Sequence, residues 1–241
     1  MIIFNNDDEN CINVAKDKET NKITFGINNE SDWMAKNIEI LDGFYTFDAV
    51  NKNKNIHIKL NVPGYHNIYN ALSVIALADF YKIQTEAIQK SFLDFTGAHR
   101  RFEYVGILNE AKIYDDYAHH PTEIKATIKA AKALNHNKLW VIFQPHTYTR
   151  TYTLFNEFSN AFEDVDELIL TDIYAAREID TGIVSSKMLS ESINKISNNC
   201  TYLSNFEEIK RYLKENVKEN DLVLTVGAGS ITKLGYELIE K

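Results

Sequence analysis

Short apolar runs alternating with helical stripes constrain this chain more than any other feature. Residues 139–143 (LWVIF), 168–170 (LIL) and 222–226 (LVLTV) lack the polar alternation of a half-exposed strand. Strands that bury both faces read this way, and they belong to parallel sheets covered by helices. Helical patterns separate them. Pro121 is placed for the first turn of a helix reaching about Leu134. Leu154, Phe155, Phe158, Ala161 and Phe162 form a second stripe. Residues 186–196, 206–216 and 231–239 read as further helices, and 104–108, 112–114 and 201–203 as further strands. This rhythm predicts an α/β fold with a Rossmann-like, doubly wound sheet from residue 98 onward.

The earlier residues follow another pattern. Ile2, Ile3 and Phe4 read as a strand and residues 5–8 as the turn after it. Nothing in the sequence precedes this strand, so the start reads as a cut through a domain as much as a natural beginning. Residues 22–25 form a second strand. Residues 38–40, 44–47 and 56–60 alternate in period two around an Asp42-Gly43 turn, which predicts three antiparallel strands. After Pro63-Gly64 come two helices. The first carries Ile68, Leu72, Ile75, Ala76 and Phe80, and the second covers about 85–95 with Thr85 as its cap. The expected domains are 1–97 and 98–241.

Composition narrows the function. The formal net charge is −8, from 26 basic and 34 acidic residues, which argues against a surface that coats nucleic acid. No apolar run reaches the ~18 residues that span a bilayer, and the first residues do not resemble a signal peptide. The two cysteines, Cys11 and Cys200, have no metal or redox spacing. A cytoplasmic protein without membrane or nucleic-acid partners is expected.

Four clusters carry candidate chemistry. In residues 64–70, Asn67 and Asn70 share one helix face; their amides match the edge of adenine, or Asn67 caps the helix and Asn70 is solvated. Arg100 and Arg101 suit a phosphate or carboxylate, or a surface ion pair with Glu103. Residues 115–121 place Asp115, Asp116, Tyr117, His119 and His120 where a strand gives way to a helix. Ligands of open α/β sheets sit at that edge, so a site outweighs simple capping by Asp116 or His120. Residues 143–151 follow a second buried strand, and there His146 and Arg150 suit a carboxylate or a developing oxyanion. The Gly227–Ser230 turn lacks dinucleotide spacing and reads as a tight turn, residues 174–178 border the same cleft, and residues 7–9 read as a solvated turn.

In this order the clusters resemble the Mur ligases of bacterial cell-wall synthesis. DDYAHHPTE (115–123) and FQPHTYTRT (143–151) are similar to the branch that joins L-alanine to UDP-N-acetylmuramate. GYHNIYN (64–70) and RRFE (100–103) are shared more widely, and residues 5–8 and 173–178 (IYAARE) also fit. The resemblance covers the end of a central ATP-binding domain and a whole C-terminal, amino-acid-binding domain. It implies ATP and Mg2+ as cofactors of the full-length enzyme and UDP-N-acetylmuramate and L-alanine as its substrates. By the same resemblance Asn67 and Asn70 touch adenine, and Arg101 and Asp115 hold the ribose and phosphates. Tyr117, His119, His146 and Arg150 border the alanine, with His119, His146 and Arg150 serving catalysis. No metal ligand is expected among these residues, because those of the family lie upstream. Some members carry arginine where this chain has Thr147, so one positive contact to the amino acid is missing or supplied elsewhere. No G-x-x-G-K-[ST] loop occurs in the sequence, and the resemblance implies that this stretch alone is inactive. A family member that attaches a tripeptide to the same sugar nucleotide, or a non-catalytic nucleotide-binding module, are the alternatives.

Overall fold

The computed structural model describes residues 1–239. They form two compact units, divided between Gly97 and Ala98. The first contains β1 (Ile2–Asn5), α1 (Glu9–Lys16), β2 (Lys22–Gly26), β3 (Trp33–Leu41), β4 (Phe44–Val50), β5 (Asn55–Pro63), α2 (His66–Phe80) and α3 (Thr85–Asp94).

Its five-stranded sheet has the order β1-β2-β3-β4-β5. The three antiparallel strands are found as β3, β4 and β5, and Asp42 and Gly43 both take positive φ in the turn between β3 and β4. That backbone suits a two-residue hairpin, whose twist matches the strands it joins. In β5, Ile56, Ile58 and Leu60 point inward at every second residue. They pack with Phe47, Trp33 and Ile68, Leu72 and Ile75 of α2.

One end of this sheet departs from expectation. β2 pairs in parallel with both β1 and β3, and α1 connects β1 to β2. Periodicity misses this helix because it is short and its only buried residue is Ala15. The acids read as a solvated turn are structural. Asp8 caps α1 by accepting from the Cys11 N–H at 2.9 Å. Asp7 accepts from the N–H groups of Ile27, Asn28 and Asn29 and from the Tyr69 hydroxyl. Its carboxyl lies below the usual range: burial opposes the charge, and these hydrogen bonds outweigh burial.

The second unit contains β6 (Glu103–Leu108), β7 (Ala111–Asp116), α4 (Pro121–Lys132), β8 (Leu139–Phe143), α5 (Tyr148–Thr153), α6 (Phe155–Ser159), β9 (Glu167–Leu170), α7 (Ser186–Asn194), β10 (Cys200–Tyr202), α8 (Phe206–Asn216), β11 (Leu222–Val226) and α9 (Ile231–Ile239). The sheet order is β10-β9-β8-β11-β7-β6, parallel except for β6 at one edge. From β7 to β10 the chain moves one way across the sheet, and then returns to β11. Right-handed crossovers therefore put α8 on the opposite face from α4 and α7. Consistently, Ile209 and Leu213 of α8 pack with Leu234 and Leu238 of α9 against Trp140, Ile142 and Val223. Phe143 meets Phe158 and Phe162, with ring centroids 5.6 and 5.2 Å apart.

The single helix expected around Leu154 is two. α5 ends and α6 begins at Leu154, whose ψ of 26° leaves the helical range, and Phe162 lies beyond α6. Within α5 the Thr151 hydroxyl donates to the Thr147 carbonyl at 2.7 Å, a back-bond that bends short helices. No described helix is long and apolar enough to cross a membrane.

At the amino ends of the parallel strands, Asp221 is buried and organises three donors. It accepts from Trp140 Nε1 at 3.0 Å and from the N–H groups of Lys138 and Lys218 at 3.1 and 3.0 Å. Removing a buried acceptor strands all three, so Asp221→Ala is expected to destabilise the second unit by about 3 kcal/mol. The chain has two tryptophans, Trp33 in the first unit and Trp140 in the second. A urea melt followed by Trp140 emission in a Trp33→Phe background measures the loss, and an unchanged midpoint would count against this role.

Candidate active site

In a parallel sheet all strands end at one edge, so the loops after β7, β8, β9 and β11 converge by construction. The loop after β7 starts from two buried acids. Asp115 is fully buried. Its Oδ1 accepts from the Thr225 hydroxyl at 2.6 Å, and its Oδ2 from Arg100 Nε at 3.1 Å. Arg100 also donates to the Gly227 carbonyl at 2.6 Å. The carboxylate sequence reasoning assigned to a ribose is thus turned inward and fixes Arg100. Asp116 accepts from the N–H groups of Ala118 and Phe102 at 2.7 and 2.9 Å. Burial pushes the Asp116 carboxyl up, while these two bonds and the Arg101 charge pull it back.

The neighbouring arginines therefore separate. Arg100 points into the protein, whereas Arg101 is exposed. Both guanidinium carbons lie over the Tyr117 ring, at 4.9 and 5.5 Å from its centroid. Glu103, the surface partner considered for them, instead meets His99 at 2.7 Å and accepts from the Arg100 N–H.

Beyond Tyr117 the loop delivers two histidines with different work. His120 caps α4 in a reciprocal box with Glu123, so here capping is the observed role. His119 sits with its ring edge against Tyr117 and 6.2 Å from the ring of His146, which follows β8. Its Nδ1 is 2.9 Å from the Tyr117 carbonyl, which can only accept. The proton of a neutral His119 is therefore on Nδ1, and Nε2 carries the lone pair.

His146 is set the other way. Its Nδ1 lies 3.1 Å from Arg150 Nη1, which can only donate, so a neutral His146 carries its proton on Nε2. Arg150 Nη1 also donates to the His146 carbonyl at 2.6 Å. The imidazole sits below its ordinary pKa, first because it is buried and second because Arg150 is beside it. The Tyr174 ring, from the loop after β9, stacks on it at 5.5 Å. Tyr117, His119, His146 and Arg150 are thus brought into one continuous set of contacts.

The Gly227–Ser230 turn is filled by the protein itself. Gln144 Oε1 accepts from the Ile231 N–H at 2.9 Å at the start of α9. A Cβ on Gly229 would lie 2.5 Å from that oxygen and 2.6 Å from Tyr174 Cγ. Sequence reasoning quoted Gln144 without giving it a role. Glu178, expected to border the cleft, also accepts from the Thr149 N–H at 2.8 Å at the start of α5, a contact the sequence does not signal. Capping of a helix by a residue distant in sequence leaves no local pattern.

In the first unit, Asn67 is the second residue of α2 and does not cap it. Its amide donates to the Pro63 carbonyl at 2.7 Å, and Asn70 donates to its oxygen at 2.9 Å. The two amides share a face, as their spacing predicts.

A doubly wound sheet whose carboxyl edge gathers two imidazoles, a phenol and arginines defines an α/β protein with its polar groups where ligands of open sheets bind. Residues 100–229 match the glutamate ligase domain of Mur ligases and residues 1–78 match their middle domain; the chain belongs to the Mur ligase family. It is 50% identical to a UDP-N-acetylmuramate–L-alanine ligase of Clostridium acetobutylicum, over all of this chain and 53% of that one. It is 48% identical to the enzyme of the same name from Clostridium perfringens, over 97% of this chain and 51% of that one. Among solved structures, UDP-N-acetylmuramate-alanine ligase MurC of Thermotoga maritima superposes with a TM-score of 0.76 at 27% identity, covering 90% of this chain and 47% of that one. The chain spans about half the length of the curated relatives it matches.

The imidazole contacts give a direct test. Arg150→Met removes the second cause of the His146 shift, so its pKa is expected to rise toward the ordinary 6.5 in an NMR titration. The folded-state value lies below the unfolded one, so this histidine's contribution to stability is present at neutral pH and lost on acidification. Arg150→Met should make that loss shallower. An unshifted His146 would mean that Arg150 does not act on it.

Proposed function

We propose that this chain supplies the amino-acid site and part of the ATP contacts of a ligase joining L-alanine to UDP-N-acetylmuramate, a step of peptidoglycan precursor synthesis in the cytoplasm. The observation that carries this reading is the His119–His146 pair, 6.2 Å apart and set to opposite tautomers beside Arg150.

The chemistry uses that pair directly. ATP transfers its γ-phosphoryl group to the muramoyl carboxylate, giving an acyl phosphate and ADP. The alanine amine must lose a proton to attack the acyl carbon. His119 Nε2 is the free acceptor, positioned by the Tyr117 carbonyl on its other nitrogen. Attack places a negative charge on the carbonyl oxygen. His146 Nε2–H and the remaining N–H groups of Arg150 are donors that suit such a charge. Collapse expels phosphate and leaves the new amide. A neutral His146 suits this role, because it donates without needing to be protonated first.

Each unit, taken by itself, offers polar groups that suit one part of ATP. The paired amides of Asn67 and Asn70 offer donor and acceptor for an adenine edge. Arg101, exposed over Tyr117, suits a phosphate, and Asp115 contributes by holding Arg100 in place. Among the described residues no three His, Cys, Asp or Glu side chains form a metal-binding group.

In the enzyme that contains these residues, phosphate release from ATP should require both UDP-N-acetylmuramate and L-alanine. Arg150→Ala and His146→Ala should each lower kcat by about 10²-fold. Turnover with a tripeptide and not with alanine would instead favour the tripeptide-joining reading. Calorimetry of the 241-residue chain with Mg-ATP should give binding weaker than about 1 mM; micromolar affinity would point to a nucleotide-binding module instead.

A further inference from the structure

An amino acid approaches as a zwitterion, and its carboxylate needs a cation. At this sheet edge Arg100 is held by Asp115 and Gly227, and in the reaction proposed above Arg150 serves the oxyanion and Arg101 a phosphate. Arg177, in the loop after β9, is exposed and has no hydrogen bond, ion pair or ring contact among the described residues.

That loop is fastened to the site on both sides of Arg177. On one side the Tyr174 N–H donates to the Pro145 carbonyl at 2.8 Å, and its ring stacks on His146. On the other side Glu178 is held by the Thr149 N–H at 2.8 Å and by the Thr147 side chain. Between these points the chain turns sharply. The Glu178 N–H donates to the Ala175 carbonyl at 2.9 Å, and Ala176 takes a φ of +53°. The other acids of the loop have partners of their own: Asp172 with the Tyr202 hydroxyl, and Asp180 with the Gly182 N–H and Tyr148. An exposed guanidinium is thus carried on a turn anchored three residues before it, by Tyr174 on Pro145 and His146, and one residue after it, by Glu178 on Thr149.

We propose that Arg177 is a specificity-determining residue that binds the carboxylate of the incoming amino acid, with Glu178 positioning it by its hold on Thr147 and Thr149. This rests on the amino-acid site proposed above and assigns to it the group that recognises the carboxylate.

The test is an NMR titration of the 15N-labelled 241-residue chain with L-alanine and with L-alaninamide, which lacks the carboxylate. Saturable shifts at Tyr117, His119 and His146 are expected with alanine, and roughly tenfold weaker binding of the amide. Arg177→Ala should reduce alanine to the amide's affinity and leave the amide unchanged. Arg177→Lys should keep part of the preference. Arg177 is exposed, so spectra away from the loop check that the variants remain folded. If wild type prefers alanine and Arg177→Ala keeps that preference, the assignment of Arg177 is overturned while the amino-acid site stands. If alanine shifts none of the three residues, the site reading falls and this proposal with it.

Discussion

The buried carboxylate of Asp115 is the contact on which the ligand edge depends. A carboxylate that leaves water must be paired and hydrogen-bonded, or its burial costs several kcal/mol. Here the partners come from different parts of the chain: Thr225 from β11 and Arg100 from the segment before β6. Arg100 then reaches the carbonyl after β11. One charge thereby joins three segments, two of them 15 residues apart and the third 110 residues further on. Asp116 does the same for the backbone, through Phe102 and Ala118. Tyr117 and His119 inherit their positions from this pair of acids.

A site built this way divides its labour. Asp115 and Asp116 spend their oxygens on bonds within the protein, and the aromatic and imidazole rings stand beyond them. Both histidines are engaged at Nδ1, and they differ in its partner: a backbone carbonyl, which accepts, for His119 and a guanidinium, which donates, for His146. That is enough to make one ring an acceptor and the other a donor toward the space between them, without a difference in residue type.

Much of this was legible in the sequence. Continuous apolar runs and helical stripes mark the second unit's sheet and helices, because burial on both faces leaves a compositional trace. Asp42-Gly43, Pro121 and the His146–Arg150 spacing likewise announce a turn, a helix start and one face of a helix turn. The rest depends on partners far away. Asp7, Gln144, Glu178 and Asp221 each satisfy N–H groups 20 or more residues distant, and such bonds have no period. The parallel pairing of β1 and β2 was missed for a related reason: a short helix with one buried alanine gives too little contrast to be seen. Leu154 fits an apolar stripe even where the helix breaks, since packing tolerates an interruption that hydrogen bonding records.

Gln144 has a consequence for how such a site can change. By filling the start of α9 with its own amide oxygen, the protein removes the most generic anion grip that a doubly wound sheet offers. Recognition is then left to side chains on exposed turns, which can be exchanged without disturbing the sheet. A lineage could alter which amino acid it accepts by editing a few loop positions, while the scaffold beneath them stays under selection for folding alone.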